Sequence, residues 1–196
     1  MKHKILLLIF ASNFALLAQP KVSFTFDDGT TADRPGHSFE DWNKMLLDNL
    51  EDANVKAVFF VTGRNKTNKK GEFLLSSWSD KGHHIGNHTY THPNYNNDDV
   101  NFKGFSNEIM KTDQIINNYS NYIKLFRFPY LKEGNTTAKI DSVRKFLIQQ
   151  GYKNGYVTID ASDWYINQRL VKRLKENPQS DISGFRNYYL KHLFMV

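Results

Sequence analysis

Short apolar runs alternate with longer amphipathic stretches along most of the chain. Five runs have the length and composition of buried strands, and they lie at residues 21–28, 56–63, 83–90, 123–130 and 154–160. Between them, apolar residues recur at helical spacing, and these helical stretches cover residues 39–53, 72–82, 107–120 and 138–151. Such an alternation of strands and helices predicts parallel βαβ units, arranged either as a barrel or as an open sheet.

The N-terminal residues have the pattern of an export signal. A basic segment, residues 2–4, precedes an apolar stretch at residues 5–18, and the small residue Ala18 offers a cleavage point. The stretch is short for a membrane-spanning helix, and Asn13 interrupts it. We therefore predict a signal peptide at residues 1–19, export to the periplasm or cell exterior, and no stable membrane insertion after cleavage. A retained N-terminal anchor is the alternative.

Composition and charge narrow the possible classes of function. The chain has 196 residues, enough for one domain with a substantial core, and we assign residues 20–196 to that domain. It contains no cysteine, which excludes disulfides, thiolate zinc sites and a cysteine nucleophile. The net charge of +6 comes from scattered basic residues, so a solvated basic surface is favoured over nucleic-acid binding. Attraction to an anionic cell-wall polymer is the alternative.

Polar residues cluster at the carboxyl ends of four predicted strands. They are Asp27 and Asp28 after the first strand, His88 and His92 after the third, Arg127 after the fourth, and Asp160, Asp163 and Trp164 after the fifth. Each cluster alone has an ordinary interpretation, such as a turn, a surface ion pair or a helix N-cap. Because loops at the carboxyl ends of parallel strands carry the functional site, we expect the four clusters to converge on one face.

The residue types in these clusters suit metal-assisted hydrolysis. Two imidazoles and one carboxylate can form a three-ligand site for a divalent cation, with positions left for water or substrate. Pro93 disfavours helical geometry at His92, so we expect the histidine pair on a turn. Such a cation lowers the pKa of a bound water to about 7 and polarises a carbonyl. The second carboxylate could then accept a proton from the water, and Arg127 could orient that carboxylate.

Four strings in the sequence carry a family resemblance. TFDDG, HTYTH, RFPY and DASDW, in this order, closely resemble four of the five motifs of the NodB-like polysaccharide deacetylases, the fourth carbohydrate esterase family. The resemblance runs from about Lys21 to Trp164. It implies a distorted (β/α) barrel that removes acetyl groups from an acetylated cell-wall or environmental polysaccharide or oligosaccharide. It also implies a divalent metal cofactor, with zinc expected and cobalt or a similar ion as the alternative.

The resemblance implies roles for individual residues as well. Asp27 would be the general base, held by Arg127, and the backbone N–H of Tyr130 would help to form an oxyanion hole. The resemblance assigns metal binding to Asp28, His88 and His92. It assigns the lining of the sugar groove to Pro129, Tyr130 and Trp164. It also implies that Asp163 orients a general acid. His84, where the family commonly has an acidic residue, is interpreted as structural.

The chain departs from the family pattern in two places. A longer loop starts at Thr30, where the family usually has a proline, and this loop could reshape the substrate groove. The fifth motif, an apolar strand ending in leucine and histidine that supplies the general acid, is not recognised. Residues 180–196 predict a helix instead, and His192 lies in that helical context. We therefore expect an incomplete barrel of about five parallel strands that lacks the C-terminal strands, with low activity and stability.

Two functions from other classes remain alternatives to a deacetylase. One is a non-catalytic sugar-binding relative that keeps the groove and the metal but lacks the general acid. The other is a related amidohydrolase that acts on a small cyclic amide, since a fold alone does not fix the substrate. Binding without turnover would favour the first, and turnover of a ureide but not of acetylated sugars would favour the second.

Overall fold

The computed structural model describes residues 21–195, so the predicted signal peptide at residues 1–19 lies outside the described residues. Strands and helices alternate along the described part of the chain, as the hydrophobic pattern predicts. The elements are β1 (Thr25–Asp28), α1 (Phe39–Asp52), β2 (Val58–Val61), α2 (Lys69–Asp80), β3 (His84–Asn87), α3 (Phe102–Ile116), β4 (Tyr122–Phe126), a 3-10 turn (Pro129–Leu131), α4 (Thr137–Gln149), β5 (Lys153–Asn154), α5 (Asp163–Glu176) and α6 (Ser183–Leu193).

The five strands form one sheet in which the spatial order is the chain order, β1-β2-β3-β4-β5. Every neighbouring pair is parallel. A helix follows each of the first four strands before the next strand begins, which is the repeating unit of a (β/α) barrel. The predicted α/β class with about five parallel strands is confirmed. None of the described helices is both long enough and apolar enough to cross a membrane.

The sheet is strongly curved, and this curvature brings distant strands together. Arg127, just after β4, donates from Nη1 to Oδ1 of Asp27 in β1 at 2.6 Å. Strands lie about 4.8 Å apart, so three steps across a flat sheet would separate these strands by about 14 Å. Phe60 occupies the space under this ion pair, and a Cβ at Gly86 or Gly155 would lie only 2.9 or 2.4 Å from its ring. Glycine at both positions therefore lets the sheet close around Phe60.

Two apolar clusters hold the helices on the sheet. The first joins α1 and α2 to β2 and β3, and Trp78 lies in it, stacked on Phe59 with ring centroids 4.2 Å apart. The indole N–H of Trp78 donates to the Asn43 side chain at 2.9 Å, so this buried polar group is satisfied. The second cluster joins α3 and α4 to β4 and includes Phe105 and Phe126. Together the clusters fix the strand ends that carry the polar residues.

The last strand is shorter than predicted. The sequence predicts a strand at residues 154–160, but β5 covers only Lys153–Asn154, so that prediction is wrong beyond Asn154. The cause lies in the partner strand, because β4 ends at Phe126, whose carbonyl accepts from the N–H of Gly155 at 2.7 Å. Beyond Gly155 the chain has no strand beside it to pair with among the described residues, and it leaves the sheet. The helix predicted within residues 180–196 is present as α6.

Candidate active site

The adjacent carboxylates at the end of β1 point to different partners. Asp27 Oδ1 accepts from Arg127 at 2.6 Å, while Asp28 faces the histidines. This divergence comes from a left-handed backbone at Asp28 (φ 71°) and Gly29 (φ 72°). For a non-glycine residue this conformation costs about 1–3 kcal/mol and is typical of functional sites. At Gly29, a Cβ would lie 2.7 Å from the ring of Phe59, so glycine is required there by space as well as by φ.

Asp28, His88 and His92 form a cluster whose ligand atoms all lie within 4.8 Å of one another. Asp28 Oδ1 is 3.8 Å from His88 Nε2 and 3.6 Å from His92 Nε2. Two atoms bound to one zinc ion at about 2.1 Å cannot be more than about 4.2 Å apart, so both of these pairs already lie within the range for a shared ion. The cluster is therefore a possible metal site with two nitrogen ligands and one oxygen ligand.

A hydrogen bond sets the tautomer of His88. Its Nδ1 lies 2.8 Å from the backbone carbonyl oxygen of Arg127, and since a carbonyl can only accept, Nδ1 carries the proton. The lone pair of Nε2 is then free and directed toward Asp28. Burial lowers the pKa of His88, which favours the neutral imidazole that a metal requires.

The loop between the two histidines is held by Glu108, a residue that sequence reasoning missed. Glu108 lies on α3, and its Oε2 accepts from the backbone N–H of Tyr90 at 3.1 Å, from that of Thr91 at 2.5 Å, and from the Thr91 hydroxyl at 2.9 Å. The loop needs such support because Thr89 (φ 66°) and His92 (φ 61°) both have left-handed backbones. The expected turn geometry before Pro93 is thus present at His92.

A buried network fixes the end of β3 just before His88. The side-chain amide of Asn87 donates to the Tyr152 hydroxyl at 2.9 Å, and its oxygen accepts from Thr89 N–H at 2.9 Å. Burial would raise the pKa of Asp113, but hydrogen bonds from Tyr122 and Tyr152 outweigh it and leave the pKa below its usual value. Asp113 shares a buried helical face with apolar residues of α3. A charge on such a face is the signal in the sequence that could have revealed this network.

Arg127 is buried, and hydrogen bonds from Nε and Nη1 fix the orientation of its guanidinium group. In addition to the bond to Asp27, Nη1 donates to the Thr25 hydroxyl at 2.8 Å and Nε donates to the Gly155 carbonyl at 2.9 Å. The group also lies 4.0 Å above the centre of the Phe60 ring. A planar guanidinium held in this way can orient one carboxylate oxygen closely. Asp27 therefore has one oxygen committed to Arg127, while Oδ2 lies 3.9 Å from His88 Nε2, facing the cluster.

Tyr130 follows Arg127 and lies against the histidines. Its ring centroid is 4.6 Å from that of His92, and the side chain is exposed. The backbone at Tyr130 is left-handed (φ 56°), and its N–H has no hydrogen-bond acceptor among the described residues. Pro129 is buried. The exposed surface at this point is thus formed by Tyr130 and not by Pro129, which the resemblance implies as a lining of the sugar groove.

The fourth predicted cluster consists of Asp160, Asp163 and Trp164. Among the described residues, no hydrogen bond or ion pair connects it to the histidines. Asp163 is the first residue of α5, whose N-cap is Ser162 rather than Asp163, and its Oδ1 accepts from Trp164 N–H at 2.8 Å. Trp164 is 66% exposed and contacts Tyr165 edge-on. The early end of β5 explains this placement, and the roles of Asp163 and Trp164 stay predictions. His192 stacks on Tyr188 within α6, with ring centroids 6.1 Å apart.

Comparison with protein families identifies the chain. A family model described as Polysaccharide deacetylase matches residues 17–153. The chain is 34% identical to a peptidoglycan-N-acetylglucosamine deacetylase of Bacillus cereus over 145 residues, 74% of this chain and 46% of that protein. It is 30% identical to the peptidoglycan-N-acetylglucosamine deacetylase PgdA of Listeria monocytogenes over 156 residues, 78% of this chain and 29% of that protein. The chain belongs to the polysaccharide deacetylase family, and it spans less than half the length of these curated relatives.

Solved structures agree with this assignment. A crystallised peptidoglycan N-acetylglucosamine deacetylase is 32% identical with a TM-score of 0.58, and the match covers 74% of this chain and 59% of that one. A family 4 carbohydrate esterase from Streptomyces lividans, in complex with acetate, is 27% identical with a TM-score of 0.58, covering 74% and 66%. The family predicted from the four motifs is confirmed.

Loss of Glu108 is expected to weaken metal binding although Glu108 touches no metal ligand. Alanine at this position removes the acceptor for three donors of the histidine loop, and loss of such a supporting contact typically costs about 10- to 100-fold in affinity. Glu108→Gln retains an acceptor oxygen and should recover most of that loss. Zinc affinity measured by competition with a chromophoric chelator tests this, with Glu40→Gln on the exposed face of α1 as the control. Equal affinities for wild type and Glu108→Ala would show that the loop holds its shape without Glu108.

Proposed function

We propose that the chain is a metal-dependent deacetylase that hydrolyses N-acetyl groups on a cell-wall glycan of the peptidoglycan or chitin type. The observation that carries the proposal is the cluster of Asp28, His88 and His92 beside a carboxylate held by Arg127. The names of the relatives support the substrate class, since they include peptidoglycan deacetylases and a chitin deacetylase of Colletotrichum lindemuthianum. We propose zinc as the metal, with cobalt or a similar ion as an alternative occupant.

The residues of the cluster fit a divalent cation. Asp28, His88 and His92 would hold it, since His88 presents a free Nε2 and His92 Nε2 faces the same carboxylate oxygen. When bound, the cation would supply Lewis-acid chemistry, namely activation of water and polarisation of the acetyl carbonyl. With three protein ligands, the site would retain open positions, as catalytic zinc sites do.

Asp27 acts as the base in this proposal. Arg127 holds Oδ1, and Oδ2 faces the cluster at 3.9 Å from His88 Nε2, where it can accept a proton from water. The amine that leaves after C–N cleavage needs a proton. Among the described residues, the acid group beside the cluster that can return a proton is the carboxyl of Asp27. We therefore assign both proton transfers to Asp27.

The backbone N–H of Tyr130 stabilises the developing oxyanion. It lies on the 3-10 turn next to His92 and has no acceptor among the described residues, so it is available to a substrate oxygen. A fixed donor of this kind is worth about 2.7–4 kcal/mol in the transition state. The exposed ring of Tyr130 would offer an apolar surface to the sugar.

Acetate release from N-acetylated chito-oligosaccharides and from peptidoglycan fragments tests the proposed function. We expect release that stops after treatment with a chelator and resumes when zinc is added back. Release that persists without metal would contradict the mechanism. Saturable binding of the sugars without turnover would favour a non-catalytic sugar-binding protein, and turnover of a ureide alone would favour an amidohydrolase.

A further inference from the structure

A cavity of about 550 Å³ lies beside the histidine cluster. Its lining includes Asp28 and His92 of the cluster and the loop that follows β2. That loop contributes two basic side chains, Arg64 and Lys66. Its backbone is attached to the histidine loop, because the N–H of Arg64 donates to the carbonyl of Tyr90 at 2.9 Å. The basic residues thus have a fixed position relative to the proposed metal ligands.

Lys66 is a buried charge that lacks a matching partner. The residue is 3% exposed, and the acceptor of its ammonium among the described residues is the Arg64 carbonyl, at a long 3.4 Å. An ammonium has three donors, and a lysine is almost never fully buried unless it is paired. Burial lowers the pKa of Lys66 to about 8, against the opposing effect of Asp28. A divalent cation on Asp28 would take up that carboxylate, leaving Lys66 without a counter-charge.

Arg64 adds a second cation to the same cavity. Its side chain is exposed, and its guanidinium has no hydrogen bond or ion pair within residues 21–195. Between the two, Asn65 has a left-handed backbone (φ 63°), a conformation that marks a sharp turn in this loop. A guanidinium and an ammonium that line one cavity form a binding site for a carboxylate, because both give charge-assisted hydrogen bonds.

We infer that this cavity is a subsite for a carboxylate carried by the substrate close to its acetamido group. The inference rests on the proposed function, because it treats the cavity as an extension of the deacetylation site. It deepens the substrate class to N-acetylated sugars with an acidic substituent on the carbon next to the acetamido carbon. Lys66 at the buried end neutralises the charge, and Arg64 at the exposed end orients the planar group.

A matched pair of sugars tests the subsite. N-acetylmuramic acid has a carboxyl group close to its acetamido group, and its methyl ester lacks the charge and adds one methyl group. In NMR titrations of the zinc-loaded full chain, we expect the acid to bind about tenfold more tightly than the ester, as a charge-assisted contact would give. Lys66→Met and Arg64→Gln should each reduce this ratio toward one, while Lys69→Met, at the exposed start of α2, should keep it.

The outcomes separate the subsite from the deacetylase activity. A ratio near one in the wild type, an unchanged ratio in both variants, or no binding of either sugar would overturn the subsite. Thermal melting shows whether Lys66→Met still folds. Arg64→Gln changes an exposed position, so its binding ratio tests the subsite even if Lys66→Met is unfolded. Acetate release from neutral chito-oligosaccharides is measured separately. If that release fails while the acid still binds in preference to the ester, the proposed reaction is wrong and the anion subsite stands.

Discussion

Asparagine in place of Asp27 is expected to lower acetate release by about 10²- to 10⁴-fold, the contribution typical of a general acid–base group. The change removes the proton acceptor but keeps the size of the side chain and an oxygen that can accept from Arg127. Because Asp27 is not among the three proposed ligands, the metal content should stay the same. Steady-state rates of acetate release, with zinc content from elemental analysis of the same samples, measure both effects.

A loss of activity in Asp27→Asn is meaningful only if the fold survives. Asp141→Asn provides the control, since Asp141 is exposed on α4 and its side chain makes no hydrogen bond among the described residues. It should match the wild type in rate and in melting temperature. If Asp27→Asn retains activity within about tenfold of the wild type, another group takes the proton. If it loses zinc along with activity, Asp27 belongs to the metal site.

Much of the fold could be predicted because the information is local. The strand β2 is an apolar run bounded by polar residues, and α1 has apolar residues at helical spacing. Parallel strands place their carboxyl ends at one edge, so the positions of Asp28 and His88 in the chain already predict that they meet. The distances of 3.6 and 3.8 Å from Asp28 to the imidazoles agree with that expectation.

Other features depend on contacts between segments far apart in sequence. The length of β5 is set by where β4 ends, and no property of residues 154–160 encodes that limit. The role of Glu108 depends on how α3 packs beside the histidine loop, and the residues around Glu108 in the sequence do not encode that packing. The contact of Arg127 with Asp27 requires the sheet to curve, which depends on Gly86 and Gly155 leaving room for Phe60. The curvature of the sheet depends on all of its strands together, so a single sequence motif does not predict it.

Half of the described non-glycine residues with left-handed backbones lie at the proposed site. Of the eight, Asp28, Thr89, His92 and Tyr130 belong to the cluster or to the segments beside it, and the others are Asn54, Asn65, Leu131 and Ser162. At about 1–3 kcal/mol each, this strain persists only where surrounding contacts enforce it. The hydrogen bonds of Glu108 and Asn87 supply that enforcement for the histidine loop. These residues therefore have the backbone conformation that the geometry of the site requires, rather than the conformation of lowest energy.

Alanine at His92 is expected to abolish stoichiometric metal binding, with the zinc content after dialysis falling from about one ion per chain to near zero. The substitution removes one of the three protein ligands of the cation, and the water that replaces the imidazole is a weaker ligand. His88→Ala should give the same loss with a further effect on stability. His88 is buried, and its removal leaves the Arg127 carbonyl without a donor, which costs about 1–3 kcal/mol.

The difference between the two variants separates ligation from structure. His92 is partly exposed, so His92→Ala should melt within a few degrees of the metal-free wild type, whereas His88→Ala should melt clearly lower. His84→Ala is the matched control, because His84 is exposed at the start of β3, at the opposite end of that strand from His88. It should keep one zinc per chain. Full zinc content in both His88→Ala and His92→Ala would show that the cation binds elsewhere. Loss of zinc in His84→Ala as well would show that the assay reports folding rather than ligation.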